Sequence, residues 1–312
     1  MQLTPNTRAF IEAEQYSSFI LTNLHDGLLP TVFYRDVSDF MSGATLHVKT
    51  IGTVTIQEAA EDTPLVYNAI DTGEVTLTIT DFEGDAWHVT DVLRQDGAQI
   101  EQLMAERGVE STRALQESFE TKFLKACNDA QTDANANTIN SFAHRIASTE
   151  TNNVLALSDL IKMKVAFDKA NVPYGGRVAI LDPIVGATLD GLVTITQDVT
   201  PFGQKILENG FERDHQFLMN LYGWNIITSN RLDKGSLGDG TTTVTDGVAN
   251  IFMSMMDDNH KPIMVAWRQQ PSVEGERNKD RARDEFVTRQ RYGIGPQRVD
   301  TLGIYITDAT KF

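Results

Sequence analysis

A lone cysteine, Cys127, leaves this 312-residue chain no disulfide of its own, and the thiol reads as a small buried hydrophobe in a helix rather than a reactive group. Long apolar runs are missing as well: no stretch of about 18 uncharged apolar residues exists to cross a bilayer as a helix. The start, MQLTPNTRAFIEAEQ, lacks the basic-then-apolar order of a secretion signal, so a cytoplasmic product is expected. Basic residues are short, 27 Lys and Arg against 43 Asp and Glu, giving a net charge of −16. Such a chain repels phosphate backbones and does not coat nucleic acid by releasing counterions.

Catalytic devices are scarce. There is no G-x-S-x-G, no G-x-x-x-x-G-K-[ST] and no H-E-x-x-H. The histidines (His25, His47, His88, His144, His215, His260) are scattered singly, without ligand spacing. MDDNH at Met256–His260 offers Asp257, Asp258 and His260 as metal ligands but has the composition of a turn. GIGP at Gly293–Pro296 is half a dinucleotide fingerprint with no helix after it, and reads as a turn. No catalytic, cofactor or metal residue is therefore assigned, and an enzyme is not expected.

What the chain does have, at 41 % hydrophobic residues, is patterned. Segments Leu46–Glu58, Glu74–Thr80 and Ala86–Thr90 alternate like strands: Val75, Leu77 and Ile79 point one way and Thr76, Thr78 and Thr80 the other. Together they predict a protruding ribbon, which alone in water is marginal. The ribbon runs into a helix-patterned segment from Asp91 to about Asp129, where Ile100, Leu103, Met104, Leu115, Phe119 and Phe123 recur at three- and four-residue steps. One rod of that length spans roughly 55–60 Å, with Gly97 and Gly108 as the places where it kinks or divides.

Before the ribbon lies an apolar, turn-broken stretch (Phe19, Ile20, Leu24, Leu28, Leu29, Val32, Phe33, Tyr34), which fits an arm laid along another surface or an ordinary N-terminal helix. After the rod, AQTDANANTINSFAHRIASTETNN reads as a loop and domain seam. Then come a helix over Leu155–Asn171, a buried strand RVAILDP, a small helix PIVGATLDG, an apolar helical piece HQFLMNLYG, a strand WNIITSN, a hairpin or loop at KGSLGDGTTT, and two strands, VANIFMSM and PIMVAW, joined by a turn. This predicts an α+β domain with a mainly antiparallel sheet. The last segment concentrates arginines (Arg277, Arg281, Arg283, Arg289, Arg291, Arg298), and DEFVTRQRYGIG and RVDTLGIYIT alternate as strands around a turn at Gly293, Gly295 and Pro296.

This element order resembles the major capsid (coat) proteins of tailed double-stranded DNA bacteriophages. The stretches that carry it are FMSGATLHVKTIG, DVLRQ, ALSDLIKMKVAFDKANVPYGGRVAILDP, GWNIITSNRL and RYGIGPQRVDTLGIYIT. The resemblance, podophage-type in NVPYGGRVAILDP, implies the Hong Kong 97-like fold. It places an N-terminal arm over 1–42, an extended β-hairpin E-loop over 43–90, a P domain with its spine helix over 91–151, an A domain over 152–273 and return strands of the P domain over 274–312. It further implies hexamers and pentamers closing into an icosahedral shell around DNA that is packed without sequence-specific binding, with scaffolding protein and portal as partners. It also implies assembly in the host cytoplasm, the virion as destination, and no membrane partner.

Subunit contacts are expected from the ribbon residues Val54, Ile56, Val75, Leu77, Ile79, Phe82 and Trp87, and from Arg281, Arg283, Arg289 and Arg291 meeting acids of a neighbour. The alternatives are an encapsulin-type compartment with protein cargo, an enzyme with a site at a subunit interface, and a tail-tube or baseplate protein.

Overall fold

The computed structural model describes residues 29–311 except 30, 40–42, 53, 55, 60, 63, 65, 66, 68, 98–99, 133–137 and 196–216, and leaves aside the side chains of 31, 190–195 and 217–220. Phe19, Ile20, Leu24 and Leu28 of the apolar N-terminal cluster lie outside the described residues. The elements run β1 (Arg35–Asp36), β2 (Thr45–Ile51), β3 (Thr72–Thr78), β4 (Asp81–Thr90), α1 (Asp91–Asp96), α2 (Ile100–Ala130), β5 (Thr138–Ile139), β6 (Phe142–Ala143) and β7 (Arg145–Ala147). They continue with α3 (Leu157–Lys169), β8 (Arg177–Leu181), α4 (Pro183–Ile195), β9 (Phe217–Leu221), β10 (Trp224–Thr228), β11 (Lys234–Gly238), β12 (Thr243–Ser254), β13 (Ile263–Asn278), β14 (Arg283–Pro296) and β15 (Leu302–Asp308).

Two sheets carry the chain. One has the order β1-β13-β14-β4; the other runs β7-β15-β12-β8-β10-β9, with β11 also paired to β12. In the larger sheet β8–β10 and β7–β15 are parallel and the remaining pairs antiparallel, as the sequence predicts. The segment between β12 and β13 is no hairpin turn, because those strands belong to different sheets. The MDDNH stretch makes this passage, with Asp257 Oδ1 accepting from the backbone N–H of Asn259 and His260.

The larger sheet is the middle of three layers. Leu302, Ile304 and Ile306 of β15 share a buried cluster with Phe123, Leu124 and Cys127 of α2, while Tyr305, between them, joins Leu160, Met163 and Phe167 of α3 on the opposite face. Every residue of β15 is buried because both of its faces are covered. A Cβ on Gly303 would lie 2.5 Å from Met163 Sδ and 3.0 Å from Phe167 Cε2, so a larger residue here would make these α3 side chains shift.

The smaller sheet receives the N-terminal half of α2. Ser111 Oγ donates to Thr288 Oγ1 (2.9 Å), Gln290 Nε2 to the Leu115 carbonyl (2.9 Å), and the rings of Phe119 and Tyr292 meet edge-on at 5.0 Å. One 31-residue helix thus bridges both sheets, roughly 46 Å long at 1.5 Å per residue.

Several expectations need correcting. The rod is divided: Gly97 leaves the helix with extended backbone and returns its N–H to the Leu93 carbonyl, and a Cβ there would fall 2.5 Å from that oxygen. Gly108 stays inside α2. HQFLMNLYG does not supply a helix: its described part, from Phe217, is β9, which turns into β10 through Tyr222 and Gly223, both at positive φ as a two-residue hairpin turn demands. The supposed seam after α2 contains β5, β6 and β7, the last of them part of the larger sheet. Gly293, Gly295 and Pro296 lie in β14 rather than in a turn. β15 pairs with β12 and β7, away from β13 and β14.

Candidate assembly interface

The ribbon is made by β2 and β3, in register from Thr45↔Thr78 to Ile51↔Thr72. Its base crosses the smaller sheet over two glycines of β14: a Cβ on Gly293 would meet the Thr78 carbonyl oxygen at 2.5 Å, and one on Gly295 would meet Leu77 Cδ1 at 2.8 Å. The chain lies flat in that shallow trough, and Leu77 and Ile79 are buried against Met264 and Ala266 with Val75 packed alongside. The alternation read from the sequence is present, but the face carrying Val75, Leu77 and Ile79 is covered by its own chain. Leu77 and Ile79 are not free for a neighbour, because β13 and the glycines of β14 already supply their cover. Burying a Leu or an Ile contributes about 1.5–3 kcal/mol, so this patch holds the hairpin at its root. Arg268 adds a hydrogen bond to the Gly43 carbonyl (2.7 Å).

Beyond the root the hairpin is bare. Val54 is 84 % exposed, Ile56 92 %, Tyr67 101 % and Ile70 81 %.

β4 is not part of the ribbon; it is the edge strand of the smaller sheet, paired with β14 from Arg283↔Thr90 to Tyr292↔Asp81. Trp87 stacks on Phe286 with ring centroids 4.2 Å apart, inside this chain. Phe82 stands out at 62 % exposure.

The arginines divide into two groups. Arg283 is paired with Glu285 at 2.7 Å, and Arg277 bridges Asp91 and Asp284. The Arg277 guanidinium holds the Asp91 carboxyl below its ordinary value. Arg281, Arg289 and Arg291 are exposed and form no ion pair among the described residues.

The opposite face of the smaller sheet is locked to α2 by a cluster the sequence reading missed. Lys122 Nζ lies 2.6 Å from Asp81 Oδ1 and 2.8 Å from Glu83 Oε1. Glu83 also accepts from Ser118 Oγ, Gln290 Nε2 and Tyr292 Oη. Burial opposes its ionisation, but the hydrogen bonds from Lys122, Gln290 and Ser118 outweigh it and hold the carboxyl below its ordinary value. Burial and the Glu83 charge push the Tyr292 phenol up. In sequence these residues are far apart, and only the alternation of acids at Asp81, Glu83 and Asp85 hinted that one face of β4 meets a polar partner.

Beside this cluster an open groove of about 300 Å³ is lined by Leu29, Phe33, Tyr34, Phe119 and Trp267 among others. Phe33 belongs to the core, and β1 pairs in parallel with β13. The described end of the expected arm therefore packs on its own chain.

Among the described residues no group of His, Cys, Asp and Glu could hold a metal ion, and no helix is long and apolar enough to cross a membrane.

The described chain is thus two sheets bridged by one helix, with a hairpin whose apolar residues beyond its root are exposed. The sequence profile of the phage capsid protein family matches residues 73–307, and the chain belongs to that family. No curated protein sequence matches the chain. Among solved structures, the capsid of cyanophage P-SCSP1u is similar, with 17 % identity, a TM-score of 0.74 and coverage of 96 % of this chain and 93 % of that one. The mature capsid of bacteriophage PhiM1 is similar at 12 % identity and TM-score 0.69, covering 95 % and 91 %. The capsid of the native GTA particle follows at 13 % identity and TM-score 0.63, covering 99 % and 100 %. The fold is the mixed α+β fold of these capsid proteins.

Proposed function

We propose that this chain is the major shell subunit of a tailed double-stranded DNA phage, closing through hexamers and pentamers into an icosahedral container for the genome. In this reading β2–β3 and the loop between them are the E-loop, α2 is the spine of the P domain with β4, β13 and β14, and the larger sheet with α3 and α4 is the A domain. Scaffolding protein and portal are the partners during assembly, which runs in the host cytoplasm and ends in the virion. DNA is enclosed rather than bound: with a net charge of −16 the wall does not hold phosphates to itself. An encapsulin-type compartment is not favoured, since the similar structures given above are phage and GTA capsids.

The observation that supports this reading best is the hairpin tip, whose apolar residues are bare in the single chain. A subunit repeated by symmetry covers such a surface with the same contact many times over. The test is negative-stain microscopy of the purified chain, alone and with a co-expressed scaffold, beside a variant in which Gly52–Asp71 is replaced by a short Asn-Gly turn. Closed shells are expected from the parent and folded, unassembled protein from the variant. Shells from the shortened chain, or a parent that stays a single copy at high concentration, would overturn the reading.

A further inference from the structure

We draw no further inference here: the strongest candidate, the open aromatic groove beside α2 that Phe33, Tyr34, Phe119 and Trp267 line, is an unpartnered apolar surface, and nothing among the described residues shows what covers it.

Discussion

Gly293 of β14 lies directly under Thr78 of β3, so close that a Cβ on the glycine would stand 2.5 Å from the Thr78 carbonyl oxygen and 2.9 Å from Ile79 Cα. The need for glycine here comes from the approach of another backbone, not from its own torsion angles. Replacing it by Val forces the hairpin root off the sheet and uncovers Leu77 and Ile79. A cost of about 1–3 kcal/mol is expected, the usual range for overpacking a filled site. Urea unfolding measures the loss. Limited proteolysis should show earlier cleavage between residues 43 and 80 in Gly293→Val than in the parent, and a parent-like cleavage pattern would mean that the root is held elsewhere.

The Lys122–Asp81–Glu83 cluster predicts how stability responds to acid and alkali. Glu83 is held below its ordinary value of 4.5 although burial opposes this, so its contribution is complete above about pH 4.5 and is lost as the pH falls through its lower folded value. Lys122 runs the other way. Burial works against its charge, but its bonds to Asp81 and Glu83 raise it above 10.5, so its contribution is complete below that value and is lost as the pH rises through the folded one. Glu83→Gln is therefore expected to flatten the acid limb of a melting-temperature profile, and Lys122→Met the alkaline limb. Both groups are partly exposed, and solvent screening keeps the effects modest. Profiles that superpose on the parent at both extremes would show that α2 does not depend on this cluster.

Much of the fold was legible because local and tertiary signals agree there. RVAIL reads as a buried strand and is one, since β8 has β10 and β12 on its two sides and is buried throughout. The helix ending before Pro173 is α3, whereas the strand read over Leu46–Glu58 ends at Ile51, and Val54 and Ile56 stand exposed on the chain between β2 and β3. The misreadings occur where one local pattern serves two structures. The apolar run Phe217–Leu221 suits a helix or a strand equally, and what decides it is the positive φ of Tyr222 and Gly223, two residues that the helical reading of HQFLMNLYG includes. Gly293 and Gly295 were read as turn residues because glycine in a strand signals close approach only when the approaching segment, here β3, is known. Alternation told which face of β3 is apolar but not whose surface covers it, so Leu77 and Ile79 were assigned to a neighbour that they do not need. The cluster around Lys122 was missed because its members come from α2, β4 and β14, and no spacing in the sequence links them.

Tyr305 and Asp159 join β15 of the larger sheet to α3 through a buried hydrogen bond of 2.5 Å from Tyr305 Oη to Asp159 Oδ2, while Lys162 approaches the other carboxylate oxygen at 2.7 Å. Burial and the hydrogen bond to the neighbouring carboxylate push the phenol up. Tyr305→Phe leaves a buried acceptor without its donor and is expected to cost about 1–3 kcal/mol. Because the two residues act as a pair, Asp159→Ala in the Tyr305→Phe background should cost less than in the parent. Additive losses in urea unfolding of the four proteins would show that the bond contributes nothing of its own.

Arg145 is buried at the C-terminal end of α2, where it donates to the Asn128 side-chain oxygen (2.8 Å), the Gln131 carbonyl (2.7 Å) and the Gly238 carbonyl (2.6 Å). The last carbonyls of a helix have no partner within it, and a guanidinium fork serves acceptors on several elements at fixed angles where an ammonium cannot. Arg145→Lys is therefore expected to destabilise nearly as much as Arg145→Ala, by about 2–4 kcal/mol, since charged-donor bonds contribute roughly 1.5–3 kcal/mol each and are not additive. A lysine variant with parent-like stability would mean that positive charge at the helix end, not the fork, is what matters.

Cys127 offers a direct reading of whether α2 stays seated on the larger sheet. It has no exposed surface and packs in the cluster that holds Leu124 and Ile304, and burial pushes its thiol far above the ordinary value. Reaction with a thiol reagent needs both access and a thiolate, so labelling requires α2 to lift from the sheet. In the native chain, labelling is expected to be slower than that of a free thiol by several orders of magnitude, following the free energy of that opening. If the helix lifts only with global unfolding, labelling will accelerate with urea along the same slope as unfolding measured by circular dichroism. Tyr305→Phe and Arg145→Lys should then speed it in proportion to their stability losses, whereas Gly293→Val, whose damage is confined to the hairpin root, should speed it less than its own loss predicts. Rapid labelling of the native chain would mean that the helix bridging the two sheets opens on its own.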